Sequence, residues 1–117
     1  MTTQDLKVLD DALNRMIKEG QILAAIERFY AADVEMRENG DAPTRGRTAN
    51  LAREEAFFAG VVVHEARLVS QAIGDGVTAT EWRFDWTIGG KRGQLEQVAL
   101  RRWQDGRIVS ERFYYKP

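Results

Sequence analysis

Few side chains in this sequence are equipped for chemistry. The chain holds one histidine, His64, and two carboxylates, Glu38 and Glu111, that fall inside regular apolar–polar patterns, with Arg101 ten residues before Glu111. A histidine beside a carboxylate can act as acid or base near neutral pH, and a carboxyl buried in an apolar cavity has its pKa raised toward that range. Burying an isolated charge is costly, so each of these four groups must pair, shift its pKa or sit at a wet site. Gathered together, two carboxylates, an imidazole and a guanidinium could neutralise one another and also move protons. Plainer roles are open to each: a solvated strand end for Glu38, a core histidine bonded to backbone for His64, and a buried ion pair for Arg101 and Glu111.

Other chemistries are excluded by composition. There are no cysteines, so there are no disulfides, thiolate nucleophiles or cysteine-ligated metals. A single histidine rules out a multi-histidine zinc site within one chain, and neither a metal nor a cofactor is expected. No serine sits on a nucleophile-elbow turn, and no glycine-rich phosphate cradle is present. The formal charge of −1 leaves no electrostatic footprint for nucleic acid. No run approaches the ~20 apolar residues that span a bilayer, so no membrane partner is expected. Residues Met1 to Asp5 form neither a basic start nor an apolar run, which argues against a signal peptide and makes the cytoplasm the default location. Arg53-Glu54-Glu55 is expected to be a solvated helix face.

The elements that must position these groups follow from periodicity. With 117 residues, 44% of them hydrophobic and 30% charged, the chain suits one globular domain over residues 1–117. Leu6, Leu9, Leu13, Met16 and Ile17 share a helical face, and Gly20 is placed to end that helix. Ile22, Ala25, Ile26 and Phe29 continue as a second short helix. Residues 33–38 alternate as a strand, and residues 39–46 read as a loop. Residues 48–58 look helical again, with Thr48 as a possible cap. Four strands follow, over 61–73, 77–88, 93–103 and 108–115. The breaks between them carry glycine, as at Gly89-Gly90 and Asp105-Gly106, where hairpin turns need positive φ. Strands this long in a small sheet must twist and coil, which gives a concave face that the helices can cover. The expected class is α+β, with a small apolar molecule held between sheet and helices.

Alternation says which side chains face that space. Trp82, Phe84 and Trp86 form an apolar row with Thr80 and Ile88, opposite Glu81, Arg83 and Asp85. Such a row can fill a core or wall a ligand site. Val62, His64, Ala66 and Leu68 are the expected inner row of the preceding strand. Val34 and Met36 put Glu38 on an inner face at the cavity mouth. The last two strands have mixed rows, so both faces are partly buried: one as a pocket, the other as a subunit interface. Val98, Leu100, Ile108 and Tyr114 are assigned to the outer face, and a homodimer through the sheet is expected.

The order of elements resembles the nuclear transport factor 2-like superfamily and, within it, the SnoaL-like group. The resemblance rests on residues 26–34 (IERFYAADV), 43–47 (PTRGR), 105–109 (DGRIV) and 111–115 (ERFYY), and it covers almost the whole chain. It implies a cone-shaped, strongly curved, mostly antiparallel sheet with the N-terminal helices on its concave side. It also implies a pocket protein that binds a small, mostly apolar molecule; alternatives are a cofactor-independent acid/base enzyme of isomerase, polyketide cyclase or dehydratase type, or a non-catalytic interaction module. Glu38 matches the general-base place of the isomerase branch, while Leu13 and Ala99 stand at the places of its oxyanion-hole tyrosine and aspartate. Glu38, His64 and Glu111 are thus the candidate catalytic residues. Tyr30, Met36, Phe58, Trp82, Phe84, Trp86, Gln97, Arg101, Trp103, Phe113 and Tyr115 are the candidate ligand contacts.

Overall fold

The computed structural model describes all 117 residues. Helix α1 (Thr3–Lys18) starts in a capping box: the Asp5 backbone N–H donates to Thr2 Oγ1 at 3.1 Å, and the Thr2 N–H donates to Asp5 Oδ2 at 2.8 Å. These bonds satisfy donors that an α-helix otherwise leaves orphaned. After α1 the chain turns through Gly20, whose φ of 76° a side chain would resist. Helix α2 (Ile22–Phe29) runs directly into strand β1 (Tyr30–Glu38). The strand therefore begins three residues before the Asp33 start read from alternation, because an irregular pairing between Tyr30 and Glu35 breaks the period at its head.

The stretch 39–46 contains a two-residue strand, β2 (Thr44–Arg45), paired with β1. Helix α3 (Arg47–Phe58) follows. Thr48 does not cap it; the cap position is Gly46 at φ 92°. Asn50 anchors this entry instead, donating from Nδ2 to the Gly46 carbonyl at 2.8 Å and the Thr44 carbonyl at 3.0 Å. Strands β3 (Val61–Ile73), β4 (Val77–Ile88), β5 (Lys91–Gln104) and β6 (Arg107–Tyr115) complete the sheet. The order is β2-β1-β6-β5-β4-β3, antiparallel throughout except for the β1/β6 pair, and the sheet is open.

Three bulges decide which residues face the helices. In β3 the pairing passes from Val63↔Trp86 to Glu65↔Asp85 and from Leu68↔Trp82 to Ser70↔Glu81, leaving His64 and Val69 unpaired. A bulge adds a residue and reverses the parity beyond it. His64 therefore points outward, where its Nε2 lies 2.7 Å from Thr87 Oγ1 on the convex side, and Val63 takes the inner place opposite Trp86. In β6 the pairing skips Val109, which turns Ile108 inward and leaves it fully buried. These bulges reverse the assignments drawn from strict alternation, which put Val62 and His64 inside and Ile108 outside; Val62 pairs with Thr87 on the convex side and is exposed. Ala66, Leu68, Trp82, Phe84 and Trp86 keep their expected side.

The core lies between α1, α2 and the sheet. Leu6, Leu13, Ile26, Phe29, Val34 and Ile108 form one cluster with Trp103, whose ring meets Phe29 edge-on at 6.5 Å. A smaller cluster joins Trp82, Phe84 and Ala99. The inward turn of Ile108 has an energetic consequence. Ile108→Ala is expected to cost about 2–5 kcal/mol, whereas Val62→Ala, on an exposed side chain, should stay within about 0.5 kcal/mol. Urea unfolding of both variants checks this, and equal small losses would return Ile108 to the surface.

Candidate functional site

Between the helices and the concave face of the sheet lies a cavity of about 620 Å³. Its walls are mostly apolar. Leu13, Ile17 and Ile26 line it from α1 and α2, and Phe57 and Phe58 from α3. The sheet contributes Trp82, Phe84 and Trp86, stacked in series at 5.6 and 5.1 Å with nearly parallel rings. They stand on one face of one strand, so the two-residue repeat itself aligns them. The row does not fill the space: Trp82 is buried in the smaller core cluster, while Trp86 keeps part of its ring open to the cavity.

The polar groups come from β1, α3, β5 and β6. At the base, Arg101 is 1% exposed. Its Nε donates to Glu111 Oε2 at 2.9 Å, and its Nη1 donates to Asp10 Oδ1 and Asn14 Oδ1, both at 2.7 Å. Tyr30 donates its hydroxyl to Glu111 Oε1 at 2.5 Å. Asp10 accepts further bonds from Thr78, Thr80 and Gln71. Burial opposes the charge of Asp10, yet Arg101 and these donors hold its carboxyl below the ordinary value. Burial also pushes the Glu111 carboxyl up, countered by Arg101 and Tyr30. Burial and the Glu111 charge push the Tyr30 phenol well above its ordinary value. Tyr30 therefore stays protonated and serves as a donor.

A second arginine sits on α3. Arg53 donates from Nη1 to Glu38 Oε1 and from Nη2 to Glu54 Oε1, each at 3.1 Å, while its Nε is buried without a partner. Glu54 was expected on a solvated face with Arg53 and Glu55. Instead its side chain is only 13% exposed and lines the cavity; Glu55 is the exposed member of the three. Burial raises the Glu54 carboxyl to about 7, with Arg53 acting against the rise and the charges of Glu111 and Glu38 adding to it. It is thus an acid that is half ionised near neutral pH. No cluster of three histidine or carboxylate side chains is arranged to hold a metal ion.

Of the candidates named from sequence, Glu38 and Glu111 line the cavity, as do Tyr30, Met36, Phe58, Gln97, Arg101, Phe113 and Tyr115. His64 does not, for the bulge described above. Trp103 does not either: it lies in the core beneath Phe29 and donates Nε1–H to Thr78 Oγ1 at 2.9 Å. Asp10 and Asn14 were missed, although the signal was present. They share the helical face of Leu6 and Leu13, and two polar residues inside an apolar stripe require buried partners. Thr80, at the head of the tryptophan row, is one of those partners.

The shifted Glu54 carboxyl couples stability to pH. The folded chain holds a proton at Glu54 that the unfolded chain has released once pH exceeds about 4.5, so this group's contribution falls as pH rises toward about 7. The loss reaches at most about 3 kcal/mol. Glu54→Gln removes it. The variant should be more stable than the parent at pH 8, with the gap narrowing toward pH 5, as measured by urea unfolding at both values. A gap independent of pH would place Glu54 in water.

Comparison with known proteins agrees with this architecture. The SnoaL-like domain profile matches residues 11–111. A protein of Mesorhizobium loti provisionally named a SnoaL-like polyketide cyclase superposes with a TM-score of 0.86 at 23% identity, over 98% of this chain and 100% of its own. A provisionally named polyketide cyclase of Xanthomonas campestris gives 0.84 at 19% identity, over 97% and 91%. An LEH-like epoxide hydrolase of M. tuberculosis gives 0.79 at 17% identity, over 97% and 84%. At these identities the likeness concerns the fold. No curated protein matches the sequence. The profile match spans most of the chain and includes Arg101 and Glu111 at the cavity base, so this chain belongs to the SnoaL-like domain family.

Proposed function

We propose that the chain binds a small, mostly apolar organic molecule in the cavity, with its polar end toward Tyr30, Glu54 and Gln97. The observation that carries this reading is the cavity itself: about 620 Å³, aromatic along one wall, with a few convergent polar side chains. Binding sites for small molecules have this size and this mixture. Gln97 and Tyr115 are neighbours across β5 and β6, and neither side chain is engaged in a hydrogen bond within the chain, so both can address a ligand. N-phenyl-1-naphthylamine, a neutral apolar fluorophore, should bind saturably, and Trp86→Ala should weaken it by about tenfold, the equivalent of about 1.4 kcal/mol. Absence of saturable binding would count against the pocket.

A second reading, cofactor-independent acid/base catalysis, is favoured by one observation: the Glu54 carboxyl lines the cavity while largely withdrawn from water, and that burial raises it to about 7. The cyclase and hydrolase names of the structural relatives support it. Glu54 is the stronger candidate for the proton-transferring group, and Glu38, tied to the same arginine, the second. Turnover of ketone, enol or epoxide substrates should be abolished by Glu54→Gln, with activity changing through pH 7. Activity that survives there but is lost in Glu38→Gln would transfer the role to Glu38.

We further propose a homodimer through the convex face. Val98 and Tyr114 are exposed there, with Leu100 half-buried beside them. Light scattering at micromolar concentration should give twice the 13.3 kDa chain mass; the chain mass alone would count against this interface.

A further inference from the structure

The charges around the cavity do not balance. Arg53 is shared between Glu38 and Glu54, and Arg101 between Asp10 and Glu111. Four carboxylates thus meet two guanidiniums. No other cation reaches the inner part: Lys91 and Lys116 stand at the exposed rim, and Arg92 is held on Asp85 by two bonds of 2.9 and 3.1 Å. The groups that face Glu54 are Arg53 on its own helix, Glu38 and Tyr30 on β1, and Glu111 on β6. Arg101 and Asp10 lie behind them. Tyr115 joins from the end of β6, and its phenol is raised by burial and by the Glu38 charge. When every carboxylate is ionised, this set carries two surplus negative charges beside an apolar space.

Glu54 is where the surplus concentrates. The only hydrogen bond it receives within the chain comes from Arg53 Nη2, so its second oxygen is free. The same cavity is lined by the rings of Trp82, Phe84 and Trp86, stacked on one another, with Phe57 edge-on to Trp86 at 5.7 Å. Because the rings cover one another's faces, they supply apolar surface, and the attraction for charge comes from the carboxylates. A carboxylate with a free oxygen beside that apolar surface makes a receptor for an apolar group bearing positive charge.

We propose that the cavity takes a small organic cation, a protonated amine or a quaternary ammonium group, with its apolar part on Trp82, Phe84 and Trp86 and its charge facing Glu54. This rests on the reading of the cavity as a ligand pocket and adds the class of ligand. In the empty protein a proton on Glu54 relieves part of the surplus charge. A bound cation replaces that proton, so binding and deprotonation are linked. Affinity for the cation therefore rises about tenfold per pH unit below pH 7 and levels off above it. A neutral ligand of the same shape has no such dependence.

The test uses benzyltrimethylammonium, whose charge does not titrate, and neopentylbenzene, its neutral isostere. Calorimetry from pH 5.5 to 8 should show the cation binding more tightly at pH 8 and following the stated profile, with neopentylbenzene flat. Titration at pH 6 in two buffers of different ionisation enthalpy should report the release of about one proton per cation bound. Glu54→Gln should flatten the profile, while His64→Gln, which removes the only histidine from the convex face, should leave it in place. If Glu54→Gln fails to fold, proton release by the parent chain still decides. A cation that binds no better than its isostere at pH 8, or that releases no proton at pH 6, overturns this inference and leaves the pocket intact. Failure of both compounds to bind overturns the pocket and the inference together.

Discussion

The placement of α1 on the sheet depends on the guanidinium of Arg101. It is a permanently charged group with almost no access to water, and it survives there because Asp10 reaches it from α1 and Glu111 from β6. Desolvating such ions costs several kcal/mol each, and breaking a buried pair by removing one partner typically costs 3–5 kcal/mol. That penalty makes the arrangement selective. Any shift of α1 along the sheet would strand Asp10 and Asn14 away from Arg101, Thr78 and Thr80, with polar atoms buried and unpaired. The helix is therefore held at one depth, and the space between it and the tryptophan row remains open. Apolar contacts alone, between Leu6, Leu13 and their neighbours, would tolerate sliding far better.

Much of this architecture was legible in the residue pattern. Helical spacing found α1, α2 and α3, and glycine-bearing turns separated the four long strands at nearly their observed ends. The row of Trp82, Phe84 and Trp86 was readable because β4 carries no bulge against β5 and alternates cleanly with Glu81, Arg83 and Asp85. What escaped was of two kinds. Strict alternation cannot register a bulge, so His64 and Ile108 were placed on the wrong faces. Charge along a helix was read as exposure, so Glu54 was assigned to water. A short helix folded over a cavity has a third kind of surface, neither core nor solvent, and Glu54 occupies it.

The two arginine sites differ in what they leave available. Around Arg101 the commitments are many: Asp10 accepts bonds from Arg101, Asn14, Gln71, Thr78 and Thr80, and Glu111 is held by both Arg101 and Tyr30. Around Arg53 the commitments are fewer: Glu54 keeps a free oxygen, and Arg53 Nε has no partner. The first site gives the pocket its shape, and the second gives it a group that can respond to what enters. Anchoring the second on α3, which Asn50 holds by its first turn, leaves that response on an element only partly built into the core.

The bulges in β3 bear on how such a pocket diversifies. Residues Val61 to Ile73 run beside Thr78 to Ile88, so one strand is two residues longer than its partner over the same span. The surplus increases local twist and helps curve the sheet. It also means that position 64 or 69 could be lost without moving any other side chain to the opposite face: with His64 gone, Val63↔Trp86 and Glu65↔Asp85 become successive pairs, and Val63, Ala66 and Leu68 stay inside. A deletion elsewhere in the strand, with no surplus residue to absorb it, would exchange inner for outer side chains on one side of the cut and so change the cavity lining. For a lineage that keeps one scaffold and changes its ligand, where the edge strand carries its surplus residue is thus a variable as direct as substitution.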